Sequence, residues 1–293
     1  MASIAGGKLD VFILGAGKVG SSLARALRAQ GVSVTLRSAR KGIPKKPIDA
    51  NLLILAVRDG KLAGVVRELA ARGRVSRRTA VVHCAGALGI EPLLPLRAMT
   101  RGVAQMHPMI SFASTRFAPL LDRGQVNVDG DLPAVRIAER IARRLGMSPR
   151  RLSRVDKVAY HAAAGLVANG AAALAAAGTE LFTQAGVPPP LAAKMLGPLL
   201  RSVADNVERL GLPAALTGPV RRGDLQGVAR HLEVIADRAP SLIPLYRALV
   251  AAQVPLARQI GDAESSVFDA IEKLATAKQP PGPNGTIADK KLG

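Results

Sequence analysis

The sequence predicts an α/β first half, a mostly parallel sheet with helices on both faces, followed by an all-α second half. Three observations carry that expectation. Up to about residue 150, short apolar runs alternate with amphipathic stretches, the pattern of βαβ units. The run at 52–57 is continuously apolar, as a strand covered on both faces requires. From Val155 onward the strand pattern stops and long helical stretches take over.

The elements are expected in this order. Residues 9–14 form the first strand, and 18–30 a helix stopped by Gly31. Strands follow at 32–37 and 52–57, a helix at 61–71, and strands at 79–83 and 102–106. Residues 126–128 read as a short edge strand before a helix at 132–145. Helices at about 156–186, 189–211, 225–237 and 241–275 are separated by Pro- and Gly-bearing breaks. Ser148-Pro149-Arg150-Arg151 marks the boundary, giving domains at 1–152 and 153–277. The segment 278–293, with Gln279-Pro280-Pro281-Gly282, reads as a disordered tail.

Bulk composition narrows the function classes. A chain of 293 residues is comfortable for two domains, and 48% hydrophobic residues can fill their interiors. Aromatics are only 2% of the chain, too few to serve as stacking platforms for single-stranded nucleic acid. The lone Cys84 excludes an internal disulfide and fits a reducing, cytoplasmic location. No secretory signal is expected at the N-terminus. Residues 158–179 carry no charge, but they are mostly alanine and glycine with His161 and Asn169 inside. That composition reads as a buried helix rather than a membrane span.

The net charge of +20 is concentrated at the front: 26 Lys/Arg against 9 Asp/Glu in 1–152, or +17, and 15 against 12 thereafter, or +3. Such a field favours polyanions, nucleic acid included, and suits a cofactor with several phosphates. No recognition motif accompanies the charge, so nucleic acid is not the expected partner.

The motif with the clearest chemistry is Gly15-Ala16-Gly17-Lys18-Val19-Gly20, directly after a strand and opening a helix. In that context it is a Rossmann dinucleotide turn. Gly15 allows the turn, Gly17 lets the backbone approach a pyrophosphate, and Gly20 lets helix and strand pack closely. The helix start supplies unpaired N–H groups to the phosphates. At the end of the second strand an NAD site would place an acid, yet no Asp or Glu occurs from Gly31 to Pro47. Arg37, Ser38 and Arg40 stand there instead and can hold a 2′-phosphate, which selects NADP(H). Val57 and His83, at later strand ends, complete the expected cofactor-binding set. Short-chain dehydrogenases are excluded, since their GxxxGxG turn and Tyr-x-x-x-Lys pair are both missing around Tyr160.

Candidate catalytic residues lie further on. Lys157, Tyr160 and His161 share one helix face by their i, i+3, i+4 spacing, with Tyr160 expected to bind the substrate, and Asn169 follows two turns later. A lysine or histidine beside a carbonyl or imine can deliver the proton that accompanies hydride addition. His107, at the end of a predicted strand, would face the cofactor crevice. The segment Thr217-Gly218-Pro219-Val220-Arg221-Arg222-Gly223-Asp224 can present Thr217 and the Arg222 guanidinium to a substrate carboxylate, with Asp224 capping the next helix. His231, mid-helix, reads as structural. One cysteine and four dispersed histidines give no metal-ligand spacing, and no nucleophile elbow is present.

Taken together, GAGKVG, His83-x-x-Gly86, His107-Pro108, Lys157-x-x-Tyr160-His161-Ala162-Ala163, Asn169 and Leu216-Thr217-Gly218-Pro219-x-x-Arg222-Gly223-Asp224 resemble the Rossmann-like proteins with a DUF2520 C-terminal domain. The resemblance covers about residues 8–260. That family is similar in layout to pyrroline-5-carboxylate reductase, ketopantoate reductase and the 3-hydroxyacid dehydrogenases. It implies an NADP-linked fold with an all-helical, often dimer-forming second domain. Two positions depart from the family pattern: Cys84-Ala85 where a serine would precede the glycine, and Ile110 where a polar residue is common. The resulting expectation is a homodimeric NADP(H)-dependent reductase of a small carboxylated carbonyl or imine. The alternative is a non-catalytic NADP(H)-binding, redox-responsive module.

Overall fold

The computed structural model describes residues 9–277. The predicted tail at 278–293 lies outside the described residues. The described residues form two compact units, divided between Ala168 and Asn169. The division falls inside a helix that begins in the first unit and runs into the second.

In the first unit, β1 (Asp10–Leu14), α1 (Lys18–Ala29), β2 (Ser33–Arg37), β3 (Leu52–Leu55), α2 (Asp59–Ala71), β4 (Ala80–His83), the short α3 (Leu94–Arg97) and β5 (Gly102–Pro108) follow in sequence. β6 (Gln125–Gly130), α4 (Leu132–Arg144) and β7 (Ser148–Arg150) complete it, and α5 (Lys157–Gln184) starts near its end. The strands form one seven-stranded sheet in the order β2-β1-β3-β4-β5-β6-β7. The first five are parallel, β6 is antiparallel to β5, and β7 is parallel to β6.

Strand periodicity divides the core into two layers. Val11, Ile13, Leu52 and Ile54 face α1 and α4 through Leu23, Leu27 and Ile141. Leu53 and Leu55 face the other way, onto Leu62, Val66 and Leu69 of α2. All four residues of β3 are fully buried, as the continuously apolar run predicted. Because order reverses between β1 and β3, the crevice at their carboxyl ends is the topological switch point of the sheet.

Two sequence expectations about element boundaries and pairing need correction. The 126–128 strand is not an edge: β7 pairs beyond it, and Ser148-Pro149-Arg150, read from sequence as part of the domain boundary, is the true edge. Pro149 concealed it, since a proline without an N–H is tolerated only where one strand edge is unpaired. The stretch at 241–275 is two helices, α8 (Ile243–Ile260) and α9 (Ser265–Thr276). Gly261, at φ 78°, ends α8 in the left-handed conformation that glycine adopts without strain.

The second unit holds α6 (Pro189–Leu210), α7 (Leu225–Arg238), α8 and α9. Its core joins Val228, Leu232 and Ile235 of α7 to Val250 and Val254 of α8 and Phe268 and Ile271 of α9. α5 was expected to be buried, yet no residue of it is buried in the chain: Leu166 and Val167 are 78% and 72% exposed. Among the described residues it is the one helix long and apolar enough to cross a membrane. The composition of a helix says nothing of which neighbour covers it, so the pattern alone could not supply the cover it predicted.

Candidate functional site

The glycine turn is built by backbone constraints. Gly15 has φ 125°, and a Cβ there would strike the Ala56 carbonyl just beyond β3. A Cβ at Gly20 would strike the carbonyl of Gly15, so α1 packs directly on the turn. In front of Gly17 the space is open. Gly17 caps α1 without any side-chain hydrogen bond, leaving the first N–H groups of the helix unpaired among the described residues. Ala16, Gly17 and Lys18 are exposed, and Val19 is half-buried. A concave turn with free N–H donors at a switch point suits a pyrophosphate.

The end of β2 is tied to this turn, because Gly15 N–H donates to the Arg37 carbonyl at 2.8 Å. Arg37 does not project freely. Its Nε donates to the Gly42 carbonyl at 2.8 Å and its Nη2 to the Lys41 carbonyl at 2.7 Å, bracing the turn 38–42. Ser38 Oγ accepts from Arg40 N–H at 3.3 Å and keeps its own hydrogen to donate. Arg40 and Lys41 are exposed on that turn. Charge and an available hydroxyl therefore remain at the position where an NAD site needs a carboxylate, and the residues present fit a 2′-phosphate.

At the carboxyl ends of β3, β4 and β5, Val57, His83 and His107 occupy the same edge of the sheet. His83 is fully buried; its Nδ1 accepts from Ala85 N–H at 3.1 Å, so Nε2 carries the hydrogen and donates to the Gly89 carbonyl at 2.7 Å. Burial holds its pKa below the ordinary histidine value. Its ring shapes the 84–89 loop and has no ring nitrogen to spare. Burial pushes the neighbouring Cys84 thiol up to about 12, which makes it an unreactive packing group.

His107 is 9% exposed, and its Nδ1 is buried with no hydrogen-bond partner among the described residues. Its ring meets Tyr160 and His161 edge-on, each with centroids 5.7 Å apart. Gly86 lies beneath the pair: a Cβ there would collide with the His161 ring and come within 2.7 Å of His107 Nε2. Burial first, then the neighbouring His161, His83 and Lys157, push the His107 pKa down to about 4. His107 is thus neutral at physiological pH. Burial also raises the Tyr160 hydroxyl above its ordinary value, while His161 is the exposed member of the trio.

Lys157 stands one helical turn before His161, and its Nζ donates to Asp129 Oδ2 at 3.0 Å and to the Leu152 carbonyl at 2.9 Å. Two of its three donors are thereby occupied. The structure therefore brings together His107, Tyr160 and His161 and ties Lys157 to β6. Sequence reasoning missed Gln105, Asn127 and Asp129. Gln105 and Asn127 are buried to within 1% exposure, paired across β5 and β6 with Asp129 and His107. The signal was available: polar residues at period two, Gln105-x-His107 and Asn127-x-Asp129, inside otherwise apolar strands.

In the second unit, Asn169 is exposed on α5, and Thr217 and Arg222 are exposed in the loop before α7. The neighbouring Arg221 is the structural one, bonded to Asp262 and to the Leu216 carbonyl. Asp224 caps α7 by accepting from Gly227 N–H at 2.8 Å. His231 bonds the Tyr246 hydroxyl through Nδ1 at 2.8 Å.

The chain matches the family model of a Rossmann-like domain over residues 1–108 and that of the domain of unknown function DUF2520 over 125–253. No curated protein sequence matches it. Among solved structures it is similar to a Bacteroides fragilis protein provisionally named an NADP oxidoreductase. That pair shares 20% identity at a TM-score of 0.64 over 87% of this chain and 99% of the other. Similarity also extends to the Plasmodium falciparum pyrroline carboxylate reductase with NADP bound, at 11% identity and 0.58, covering 92% and 100% of the two chains. An imine reductase from Pseudomonas gives 18% and 0.53, covering 90% and 100%. At these identities the likeness is one of fold.

Proposed function

From the premise that the chain is a Rossmann-like protein carrying a DUF2520 domain, we propose that it is an NADP(H)-dependent reductase of a small carboxylated carbonyl or imine compound. The observation that carries this reading is the His107–Tyr160–His161 cluster over Gly86, on the same sheet edge as the open glycine turn. The relatives of like fold include proteins named as NADP-linked and imine reductases, which supports the reaction class.

Gly15, Ala16, Gly17, Lys18, Val19 and Gly20 would hold the pyrophosphate on the free N–H groups of α1, with Val57 beside the turn. Ser38 and Arg40 would hold the 2′-phosphate, with Arg37 bracing their turn. NADPH, when bound, supplies a hydride to an electrophilic carbon. His161, exposed and adjacent to neutral His107, hands a proton to the oxygen or nitrogen left with the electron pair. His107 and Tyr160 fix the ring that does so, and the 84–89 loop shaped by His83 supports it. Within the second unit, Arg222, Thr217 and Asn169 are proposed as polar contacts for a carboxylate-bearing substrate.

The chain is also proposed to act as a homodimer in the cytoplasm. Leu191, Met195, Leu199, Val203 and Val207 recur every fourth residue along α6, each 42–55% exposed, and form one continuous apolar ridge.

The test is NADPH oxidation with ketopantoate, pyrroline-5-carboxylate and related acids, with NADH as control, in the native protein and in His161→Gln. Turnover that His161→Gln abolishes, with NADPH affinity retained, is the expected result. Tight NADPH binding with no turnover on any acid would replace this reading with a non-catalytic cofactor-binding module.

A further inference from the structure

Four polar groups buried or half-buried between β5, β6 and α5 have no part in the chemistry above, yet they form one unbroken chain of hydrogen bonds. Gln105 Nε2 donates to the Ala85 carbonyl at 2.8 Å and reaches that of Gly86 at 3.4 Å. Gln105 Oε1 accepts from Asn127 Nδ2 at 3.0 Å. Asn127 Oδ1 accepts from Leu152 N–H at 3.0 Å. The Leu152 carbonyl accepts from Lys157 Nζ, which also grips Asp129.

The two ends of this chain are the two sides of the candidate catalytic contact. One end fixes the loop bearing Gly86; the other fixes the first turn of α5, four residues before His161. We infer that Gln105, Asn127, Asp129 and Lys157 are positioning residues, a tether that sets the seat of His161 against Gly86 and His107. Buried amides in an otherwise apolar strand are costly unless every donor and acceptor is used. Here each amide has partners on both its oxygen and its nitrogen. The chain runs through the backbone of one residue, the N–H and the carbonyl of Leu152, so a shift at either end is transmitted to the other. Lys157 thereby acts through His161 rather than on the substrate.

This inference rests on the reductase reading, so the experiment carries one arm that does not need turnover. Gln105→Leu and Lys157→Met, made in the full-length protein, cut the tether at opposite ends. Each is expected to lower kcat by about tenfold to a hundredfold, the scale of a small misplacement of a reacting group, with KM and NADPH affinity changed less than about threefold. Cutting one chain twice should do no more harm than cutting it once. The double variant should therefore lose about as much as the worse single, where independent effects would multiply. Lys157→Arg retains the grip on Asp129 and should recover most of the rate; a lysine that donated the proton itself would not be replaced by arginine.

The second arm follows the His107 ring by NMR as pH is lowered. Cutting the tether at Gln105→Leu loosens the loop over His107 and should move its midpoint from about 4 toward the ordinary histidine value. If Gln105→Leu does not fold, Asn127→Ser cuts the same chain with less bulk. Multiplying losses, or no rescue by Lys157→Arg, would overturn the tether. So would an unmoved His107 midpoint in folded variants. A moved midpoint in a protein with no reductase turnover would instead uphold the tether and reject the reductase reading.

Discussion

Acidification should weaken the first unit through His107, by an amount the structure allows to be worked out. In the unfolded chain this ring takes up a proton near pH 6.5, whereas in the fold it does so only near 4. Between those values the unfolded state binds more protons, so stability falls as pH falls. The contribution is fully present above pH 6.5 and is lost as pH drops toward 4. Taking 6.5 and 4 as the two midpoints, the loss relative to pH 7 is about 2 kcal/mol at pH 5 and about 3 kcal/mol at pH 4. Other groups add to the slope with the same sign. Burial lowers His83 as well, and the Arg151 hydrogen bond holds the Glu139 carboxyl below its ordinary value. His107→Gln keeps a polar side chain but removes the titration, which isolates the term. Urea unfolding of both proteins, followed by far-ultraviolet circular dichroism at pH 7, 6, 5 and 4.5, measures it. The variant curve should fall more shallowly, the two converging by about 2 kcal/mol near pH 5. Parallel curves would refute the claim that His107 is desolvated and neutral, and with it the reading of His161 as the proton carrier.

Three further outcomes are expected. Gly15→Ala places a Cβ on the Ala56 carbonyl at a φ of 125°, and should weaken NADPH binding by about a hundredfold or more in a fluorescence titration while the second unit keeps its helicity. Asp224→Ala removes the cap on Gly227 N–H and should cost about 1 kcal/mol of stability in denaturant, with NADPH affinity unchanged. Val203→Glu puts a charge in the middle of the α6 ridge; sedimentation should then show a dimer at least about tenfold weaker, and an unchanged association state would remove this ridge as the interface.

What could be read from sequence was what short stretches decide alone. The apolar run at 52–57 and the glycines after β1 each carry their reason within a few residues, and the sheet, the turn and most helices follow from them. Relations across distance were not legible. β6 runs antiparallel to β5, a reversal that places Asn127 opposite His107, and nothing local to 125–130 announces it. Without that pairing Asp129 reads as a solvated turn residue and Lys157 as an available proton donor. The separation of 28 positions between them is closed only by the fold. The part Arg37 plays within its own loop was hidden for a smaller reason. A side chain named for an outside phosphate found two carbonyls of its own loop first, because Gly42, at φ 64°, turns the backbone back toward it.

The three-residue strand that ends the sheet has a bearing on how this molecule meets its own kind. Val126 is opposed by Pro149, and Arg150 reaches back to Gln125 through Nε at 2.9 Å. An outer strand so short, with a missing donor at its centre and a cation at its end, offers no ladder for another chain to continue. That side of the sheet is closed to growth. Copies of this protein crowded together are turned away from ribbon-like stacking there and toward contacts made by side chains on helices. At this edge a chain with a high net charge and almost no aromatic residues keeps its sheet from becoming a template for aggregation.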